Sequence, residues 1–260
     1  MGAEVGGRAW AGDPYADALR AGRGPLFLAR GDGWLLPLDV ERWCGVADGV
    51  DLDVLRRCEG AVLDVGCGPG RLVAELAARG RTALGIDVSE AAVAHTARRL
   101  GSPSPGGEGP VLRRSVFERL PAEGRWGTAL LLDGNLGIGG DPRALLDRLA
   151  RLLVPGGLLI AETVPLDVDE RLSVRIVRAD GSREDTGAAF PWARLGTRAL
   201  LRCARPRGWR TAGQWTAGGR CFVALRSRSP RSSAEPPKRI AVISSQRPRN
   251  TSTDSPVADR

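Results

Sequence analysis

The sequence is poor in the residues that metal sites and disulfide frameworks require. Its 260 residues include a single histidine, His95, and five cysteines, no two of which form a C-x-x-C pair. Zinc sites are usually built from paired cysteines and histidines, and disulfide-rich domains from many cysteines in a short chain. We therefore expect neither a metal nor a disulfide framework.

Long hydrophobic runs are also missing. No apolar stretch approaches the ~20 residues of a membrane-spanning helix, and the first ten residues, MGAEVGGRAW, contain no signal-peptide hydrophobic region. The sequence predicts a cytoplasmic protein with no membrane partner, present as a monomer or a homodimer.

Lysine is nearly absent, since Lys238 is the only one, so the formal net charge of +8 comes from arginine. Residues 226–260 carry five of these eight net charges. This distribution favours an arginine-rich composition over a selected nucleic-acid groove. Residues 227–260 are rich in Ser, Pro and Arg and poor in apolar residues, which predicts a disordered tail.

One stretch indicates a ligand site. The apolar run Ala61–Val65 predicts a buried parallel strand, and Arg71–Arg79 has helical spacing of its apolar residues. Between them lies the turn Gly66-Cys67-Gly68-Pro69-Gly70. Strand, glycine turn and helix form the first unit of a doubly wound sheet, and the glycines let a ligand approach the backbone.

The spacing of the turn restricts the ligand. A dinucleotide fingerprint, G-x-G-x-x-G, would need glycine where Arg71 stands. Asp64 precedes the turn, in place to receive a cation. A second acid, Asp87, follows the predicted strand Thr82–Ile86, 21 residues after Gly66, at the distance from which carboxylates bind ribose hydroxyls.

The stretches LDVGCGPG and GIDVSE resemble the first two motifs of the class I S-adenosylmethionine (SAM) dependent methyltransferases, of the type 11/25-like domain. The resemblance covers about Ala61–Arg226. It implies an α/β fold with a doubly wound, mostly parallel seven-stranded sheet that ends in an antiparallel C-terminal hairpin. It also implies SAM as cofactor, with Asp64 at the methionine amino group, Asp87 on the ribose and Val88 against the adenine. The cofactor-binding residues expected are Asp64, Gly66, Cys67, Gly68, Gly70, Asp87, Val88, Val116, Phe117 and Asp133.

One position departs from the family pattern. Many relatives carry an acid just after the third strand, here predicted over Val111–Val116, that binds the adenine amino group. Val116 stands at that place. We expect adenine contacts from the backbone of Val116 or Phe117, with the Phe117 ring packed on the base and Glu118 as a possible substitute acid.

The fourth predicted strand, Thr128–Leu132, ends in Asp133-Gly134-Asn135. In the resembling family the acceptor meets the methyl group here, so Asp133 and Asn135 are the candidate catalytic residues. Asp133 would accept a proton or hydrogen bond and Asn135 would orient it, while the glycines of the loop, among them Gly139, would let it move. The alternative is a purely structural loop. We expect His95, in the middle of a helix outside the sheet, to be solvated or to pack rather than to act as a base.

Three regions are predicted. Residues 1–60 would form a cap, with a helix over Pro14–Arg20 and a small hairpin within Gly22–Leu36. Residues 61–226 would form the SAM-binding domain, and residues 227–260 the disordered tail. An inserted hairpin at about 166–190, with strands Arg171–Ala179 and Arg183–Phe190, would follow the fifth strand. Five of the twelve aromatic residues lie in the first sixth of the chain and would either pack or form a lid: Trp10, Tyr15, Phe27, Trp34 and Trp43.

The most consistent function is methyl transfer from SAM to an unidentified, small-molecule acceptor. The motif DGN at 133–135 matches neither the N/D-P-P-Y nor the Pro-Cys type of nucleobase methyltransferases, which disfavours nucleic acid. Three alternatives stay open at this point. They are an RNA or other nucleic-acid methyltransferase, a non-catalytic SAM-binding protein, and an NAD-dependent oxidoreductase that Arg71 disfavours.

Overall fold

A computed structural model describes residues 13–101, 109–178 and 188–228 of the chain. Trp10, the proposed turn at 180–182 and the predicted tail beyond residue 228 lie outside these ranges. Ser227, the first residue of that tail, is buried and donates its backbone N–H to the Gly157 carbonyl at 2.9 Å. No helix in the described ranges combines the length and apolar character needed to cross a membrane.

The helices and strands follow in chain order. They are α1 Asp13–Ala21, β1 Leu26–Ala29, β2 Leu35–Leu38, α2 Val40–Cys44, α3 Gly49–Arg56, β3 Val62–Val65, α4 Arg71–Ala78, β4 Ala83–Asp87, α5 Glu90–Arg99, β5 Val111–Arg113, β6 Trp126–Leu131, α6 Pro142–Leu152, β7 Leu153–Thr163, β8 Asp169–Arg178, β9 Phe190–Leu195, α7 Thr197–Ala204, β10 Arg210–Ala217 and β11 Arg220–Arg226.

Seven strands form the main sheet, in the order β10-β11-β7-β6-β3-β4-β5. The five strands from β5 to β7 are parallel to one another, and β11 and β10 add as an antiparallel hairpin. The fold class predicted from the sequence is confirmed. The strand order reverses between β3 and β6, and ligands of such sheets bind at the carboxyl ends of the strands that flank such a reversal.

Helices cover both faces of the main sheet. On one face the leucines of α6, including Leu145 and Leu149, pack with α7 against the sheet. On the other face α3 and α4 contribute Leu55 and Leu76. Strand β3 is therefore buried along its whole length, which explains its continuous apolar pattern.

A second, four-stranded sheet, which we call the cap sheet, has the order β2-β1-β8-β9. The predicted N-terminal hairpin is present as β1 and β2. Its strand β1 also pairs antiparallel with β8, Leu26 opposite Arg178 and Ala29 opposite Arg175. The N-terminal segment and the insertion thus share one sheet. The second strand of the insertion covers Phe190–Leu195, later than the predicted Arg183–Phe190.

Two strand boundaries differ from the expectation near the site. Strand β5 ends at Arg113, because the chain turns at Ser115, whose backbone N–H donates to Glu118 Oε2 at 2.8 Å. Strand β7 begins at Leu153 and includes Pro155-Gly156-Gly157, residues that are typical of a turn. Glycine is needed at 156, where φ is +78°.

A buried ion cluster holds the carboxyl edge of the main sheet together. Its centre is Arg71, the first residue of α4, which is only 4% exposed. Arg71 Nε lies 2.7 Å from Oδ2 of the fully buried Asp51 on α3, and Arg71 Nη1 lies 2.6 Å from Asp133 Oδ2 after β6. Burial raises the pKa of Asp51, but hydrogen bonds and charge from Arg71 outweigh it and lower this pKa to about 2.

Two further arginines complete the ion cluster. Arg220 at the start of β11 binds both oxygens of Glu162, at 2.9 and 2.8 Å, and also Asp51 Oδ1 at 2.9 Å. Arg42 on α2 reaches Asp133 Oδ1 at 2.6 Å and so ties the N-terminal segment to the end of β6. Three arginines and three carboxylates therefore join helices α2, α3 and α4 to strands β6, β7 and β11.

A further buried carboxyl group, that of Asp64, lies beside the ion cluster. The carboxyl is 2% exposed, and its Oδ2 has no hydrogen-bond partner within the described ranges. Burial, with the repulsion of Asp133 and other acids, outweighs the attraction of Arg71 and raises the pKa of Asp64 to about 7.

The ion cluster yields a prediction about stability. Arg71→Met removes the shared partner of two buried carboxylates, and we expect the free energy of unfolding to fall by about 3–5 kcal/mol. Arg79→Met is the matched control, because Arg79 forms only an exposed pair with Glu75 one turn away, worth about 0.5 kcal/mol. Chemical denaturation of both variants measures the difference. Equal losses would mean that the ion cluster contributes no more than a surface pair.

The pKa of Asp64 yields a pH prediction. Between its ordinary pKa of 3.8 and about 7 the folded chain holds a proton on Asp64 that the unfolded chain releases. Its contribution to stability is thus present at low pH and lost as the pH rises to about 7. Asp64→Asn should raise the melting temperature at pH 8, with a smaller difference at pH 5 that vanishes only below about pH 3.8.

The control for this pH effect is Asp53→Asn. The pKa of Asp53 is lowered: burial raises it, but hydrogen bonds from Arg57 and Arg56 outweigh burial. That variant should show no gain at pH 8. A destabilised Asp64→Asn protein at pH 8 would contradict the prediction, since it would mean that the ion cluster needs a charged Asp64.

Candidate functional site

A deep cavity opens at the carboxyl edge of the main sheet, beneath the cap sheet. It encloses about 1110 Å³ that protein atoms do not fill, including the space at its open mouth. Its floor consists of the turns after β3, β4 and β6 and the segment after β5, and its roof comes from α1, α2 and strands β1, β2 and β9 of the cap sheet. Nine of the predicted site residues line it: Gly66, Cys67, Gly68, Asp87, Val88, Val116, Phe117, Asp133 and Asn135.

The three glycines of the turn after β3 have different reasons to be glycine. A Cβ on Gly66 would lie 2.7 Å from Asn135 Nδ2, and one on Gly70 would overlap the Thr96 side chain. A Cβ on Gly68 would meet only Tyr15 Oη, at 3.7 Å. All three have positive φ. Gly68 is therefore the position where the missing side chain opens the turn, whereas Gly66 and Gly70 serve close packing.

Asp87 fixes the glycine turn to the start of α5 through hydrogen bonds to backbone N–H groups. Its Oδ2 accepts the backbone N–H of Gly68 at 2.9 Å, and its Oδ1 accepts that of Ser89 at 2.8 Å, where α5 begins. Burial raises the pKa of Asp87, although these backbone N–H groups oppose the shift. A carboxylate offers about four lone-pair positions, so two remain for a ligand in the cavity.

Asn135 and Asp133 connect the loop after β6 to its surroundings. Asn135 Nδ2 donates to the carbonyls of Val65 and Gly66, at 2.9 and 2.8 Å, which locks the two turns together. Burial raises the pKa of Asp133, but the charges of Arg71, Arg42 and Arg220 outweigh it, so its pKa is lowered. These contacts suit both side chains to positioning more than to proton transfer.

The same loop is closely packed. A Cβ on Gly139 would lie 2.8 Å from Phe117 Cε2, and one on Gly140 would lie 2.6 Å from Pro191 Cβ. We expected these glycines to let the loop move. In the structure they instead let the loop pack closely against β9 and Phe117.

The segment after β5 is fixed by a residue that the sequence analysis did not single out. Arg148 on α6 is buried, and it donates to the carbonyls of Val116 and Glu118 at 2.8 and 2.6 Å. Phe117 between them lines the cavity. Glu118, the proposed substitute acid, is exposed and turned toward Ser115 instead of the cavity.

The roof contains part of the predicted aromatic lid. Tyr15 and Trp43 line the cavity, whereas Phe27 and Trp34 do not. Phe190 and Trp192 of β9 join them, with their rings edge to face at a centroid distance of 6.1 Å. Burial, together with the negative charge of Asp87, raises the pKa of Tyr15 well above its usual range, so its hydroxyl keeps its proton.

Two predicted cofactor residues do not line the cavity. Asp64 faces the layer of α3 and α4, because strand alternation gives the cavity side to Val65. Gly70 lies beneath the turn against Thr96. His95 packs as expected, with Nδ1 3.3 Å from the Pro69 carbonyl. Sequence reasoning missed Arg42, Arg148, Phe190 and Trp192, because no local pattern marks side chains that meet only through the tertiary fold.

Comparison with known proteins agrees with this geometry. Residues 62–157 match the family model described as a methyltransferase domain. No curated protein sequence matches the chain.

Several solved structures share the fold. A SAM-dependent methyltransferase from Bacteroides fragilis, in complex with S-adenosyl-L-homocysteine (SAH), is 18% identical with a TM-score of 0.64, over 87% of this chain and 95% of that one. The 1,6-didemethyltoxoflavin-N1-methyltransferase from Burkholderia thailandensis, bound to 1,6-didemethyltoxoflavin and SAH, is 19% identical with a TM-score of 0.51, over 70% and 77%. A glycopeptide N-methyltransferase, MtfA, complexed with SAM is 17% identical with a TM-score of 0.50, over 72% and 95%.

The residues that match the family model run from β3 to the Pro155-Gly156-Gly157 stretch of β7. They include the glycine turn, Asp87 and the loop after β6. Residues 62–157 are thus similar to a methyltransferase domain, and the chain shares its fold with SAM-dependent methyltransferases of known structure.

Proposed function

We propose that this protein transfers a methyl group from SAM to a small molecule held between the floor of the cavity and the cap sheet. The observation that carries the proposal is the turn at Gly66–Gly70, which opens into the cavity at the reversal of strand order beside Asp87. That is the place where doubly wound sheets bind their ligands.

The residues present suit SAM. A Cβ at Gly68 would project into space that the cofactor needs, and Asp87 has lone pairs left for ribose hydroxyls. Val88, Val116 and Phe117 offer an apolar wall for adenine. SAM supplies a methyl group on a sulfonium, which is already electrophilic, so the protein's task is to orient the reactants and exclude water.

Several residues position the parts of the cavity floor that would hold the reactants. Asn135 holds the turns after β3 and β6 in register, and Arg148 holds the segment that carries Phe117. We assign Asp133 a positioning role, because its three arginine partners stabilise its charged form. The methionine amino-group contact expected of Asp64 stays a prediction, which its place behind the turn does not favour.

Small-molecule and glycopeptide methyltransferases occur among the structural neighbours, which supports a small acceptor here without identifying it. The cap sheet supports it too, because a roof over the cavity limits the size of what can enter.

Cofactor binding is tested at Gly68. Gly68→Val places a branched side chain into the cavity at a backbone φ of +54°, which favours glycine. We expect SAH affinity to fall at least 30-fold. Isothermal calorimetry with SAH, and with NAD⁺ in parallel on the unmodified chain, measures this.

The matched control for this variant is Gly213→Val, which has open space around it and an ordinary φ. Unchanged SAH affinity in Gly68→Val, or tighter binding of NAD⁺ than of SAH, would contradict the proposal. Transfer of label from methyl-labelled SAM to a small-molecule cell extract, but not to RNA, separates an enzyme on small molecules from the other candidates.

The ribose contact is tested at Asp87. Asp87→Asn keeps the size of the side chain but removes the charge that strengthens its hydrogen bonds, and bonds to charged groups are worth about 1.5–3 kcal/mol. SAH affinity should fall about 10- to 100-fold in calorimetry. Glu90→Gln is the control, because Glu90 is exposed and, among the residues that the structure describes, forms an ion pair with Arg113 alone. A loss below threefold with an unchanged melting temperature would leave Asp87 only its role in the turn.

A further inference from the structure

The acceptor side of the cavity differs chemically from the cofactor side. Opposite the floor, the roof presents Leu36 and Leu38 from β2, Trp43 from α2, and Phe190 and Trp192 from β9. Aromatic side chains of this kind stack on flat rings and stabilise positive charge at their faces.

Charge is confined to the floor. Among the described residues that line the cavity, the charged ones are Arg71, Asp87, Arg114 and Asp133, and all four lie at or after the carboxyl ends of strands of the main sheet. Arg71 and Asp133 bind each other, and Asp87 accepts two backbone N–H groups. Arg114 is exposed and donates to the Arg119 carbonyl. The described lining residues of the roof carry no charge, so a charged acceptor held against the roof would lose its hydration without gaining an ionic partner there, which is costly.

The roof also offers no group that could take a proton. Its described lining residues are aliphatic and aromatic, apart from the Tyr15 hydroxyl, which is itself protonated. A hydroxyl nucleophile needs to be deprotonated as it attacks, whereas a nitrogen lone pair attacks from the uncharged form. As the methyl group passes to nitrogen, the positive charge passes with it toward the aromatic faces, where such charge is stabilised.

From this chemistry, and resting on the proposed function, we infer that the acceptor is an uncharged, flat aromatic molecule methylated on nitrogen, either an aromatic amine or a ring nitrogen. The nitrogen lone pair forms the new N–C bond while the C–S bond breaks, and its electron pair stays on sulfur to give SAH. An aromatic amine then carries one extra proton, which it loses to water after leaving the cavity.

Three probes with one ring system test the inference: 1-aminonaphthalene, 1-naphthol and 1-naphthoate. Calorimetry in the presence of saturating SAH should show both neutral probes binding at least tenfold more tightly than naphthoate. With methyl-labelled SAM, only the amine should gain label, observed as a mass increase of one methyl group.

Each contrary result has a distinct meaning. If SAH binds but naphthoate binds as well as the amine, or neither neutral probe binds, the inference about the acceptor is overturned and the cofactor site stands. Faster labelling of naphthol than of the amine also overturns it, because a proton acceptor would then be present. Failure of the unmodified chain to bind SAH overturns the proposed function itself, and this inference with it.

Two adjacent residues of β2 provide a matched pair of variants. Leu36 lines the cavity, whereas Leu35 is 52% exposed and absent from the lining. Leu36→Asp should weaken binding of 1-aminonaphthalene at least tenfold while SAH affinity holds, and Leu35→Asp should change neither. Leu36→Lys adds the missing cation and should strengthen naphthoate binding at least tenfold. Equal effects of Leu35→Asp and Leu36→Asp on amine binding would place the acceptor elsewhere.

Discussion

The geometry of the site depends on a buried arginine that interacts with two acids from distant parts of the chain. Arg71 binds both Asp51, which lies on α3, and Asp133, which follows β6. Burying such charges costs several kcal/mol for each ion unless good geometry and further hydrogen bonds offset the cost. Here each carboxylate of the ion cluster has at least one arginine at 2.9 Å or less. The benefit is positional, because the helix that follows the glycine turn and the loop after β6 cannot move independently.

Local features of the chain could be predicted from the sequence, because neighbouring residues determine them. The apolar run at 61–65, the glycine turn and the acid at Asp87 all lie within 30 residues, and each has a spacing that the backbone geometry requires. The seven-stranded sheet follows from repeating this strand–helix unit, and it is confirmed. The capping of α5 by Ser89 is equally local, with its side chain accepting from Ala92 N–H.

The non-local part of the site could not be predicted in the same way. The paired residues of β1 and β8 lie more than 140 positions apart in sequence, and nothing in either pattern indicates the other strand as its partner. The interpretation of Asp133 and Asn135 as catalytic shows the limit most clearly. Their position at the end of a strand was visible in the sequence, but the arginines around Asp133 and the carbonyls bound by Asn135 were not.

The loop from Asp133 to Gly140 connects the two halves of the cavity. Its first residues bind the turn after β3, through Asn135, and its last ones pack on Pro191 and Phe117. Side chains at Gly139 or Gly140 would push Phe117 or β9 away, so the absence of a Cβ sets the distance between the floor and the roof. Methyl transfer needs reacting atoms about 3–3.5 Å apart and in line. In this fold the packing of a glycine-rich loop between two sheets fixes how far the roof lies from the floor, and the ion cluster holds the end of the loop that follows β6.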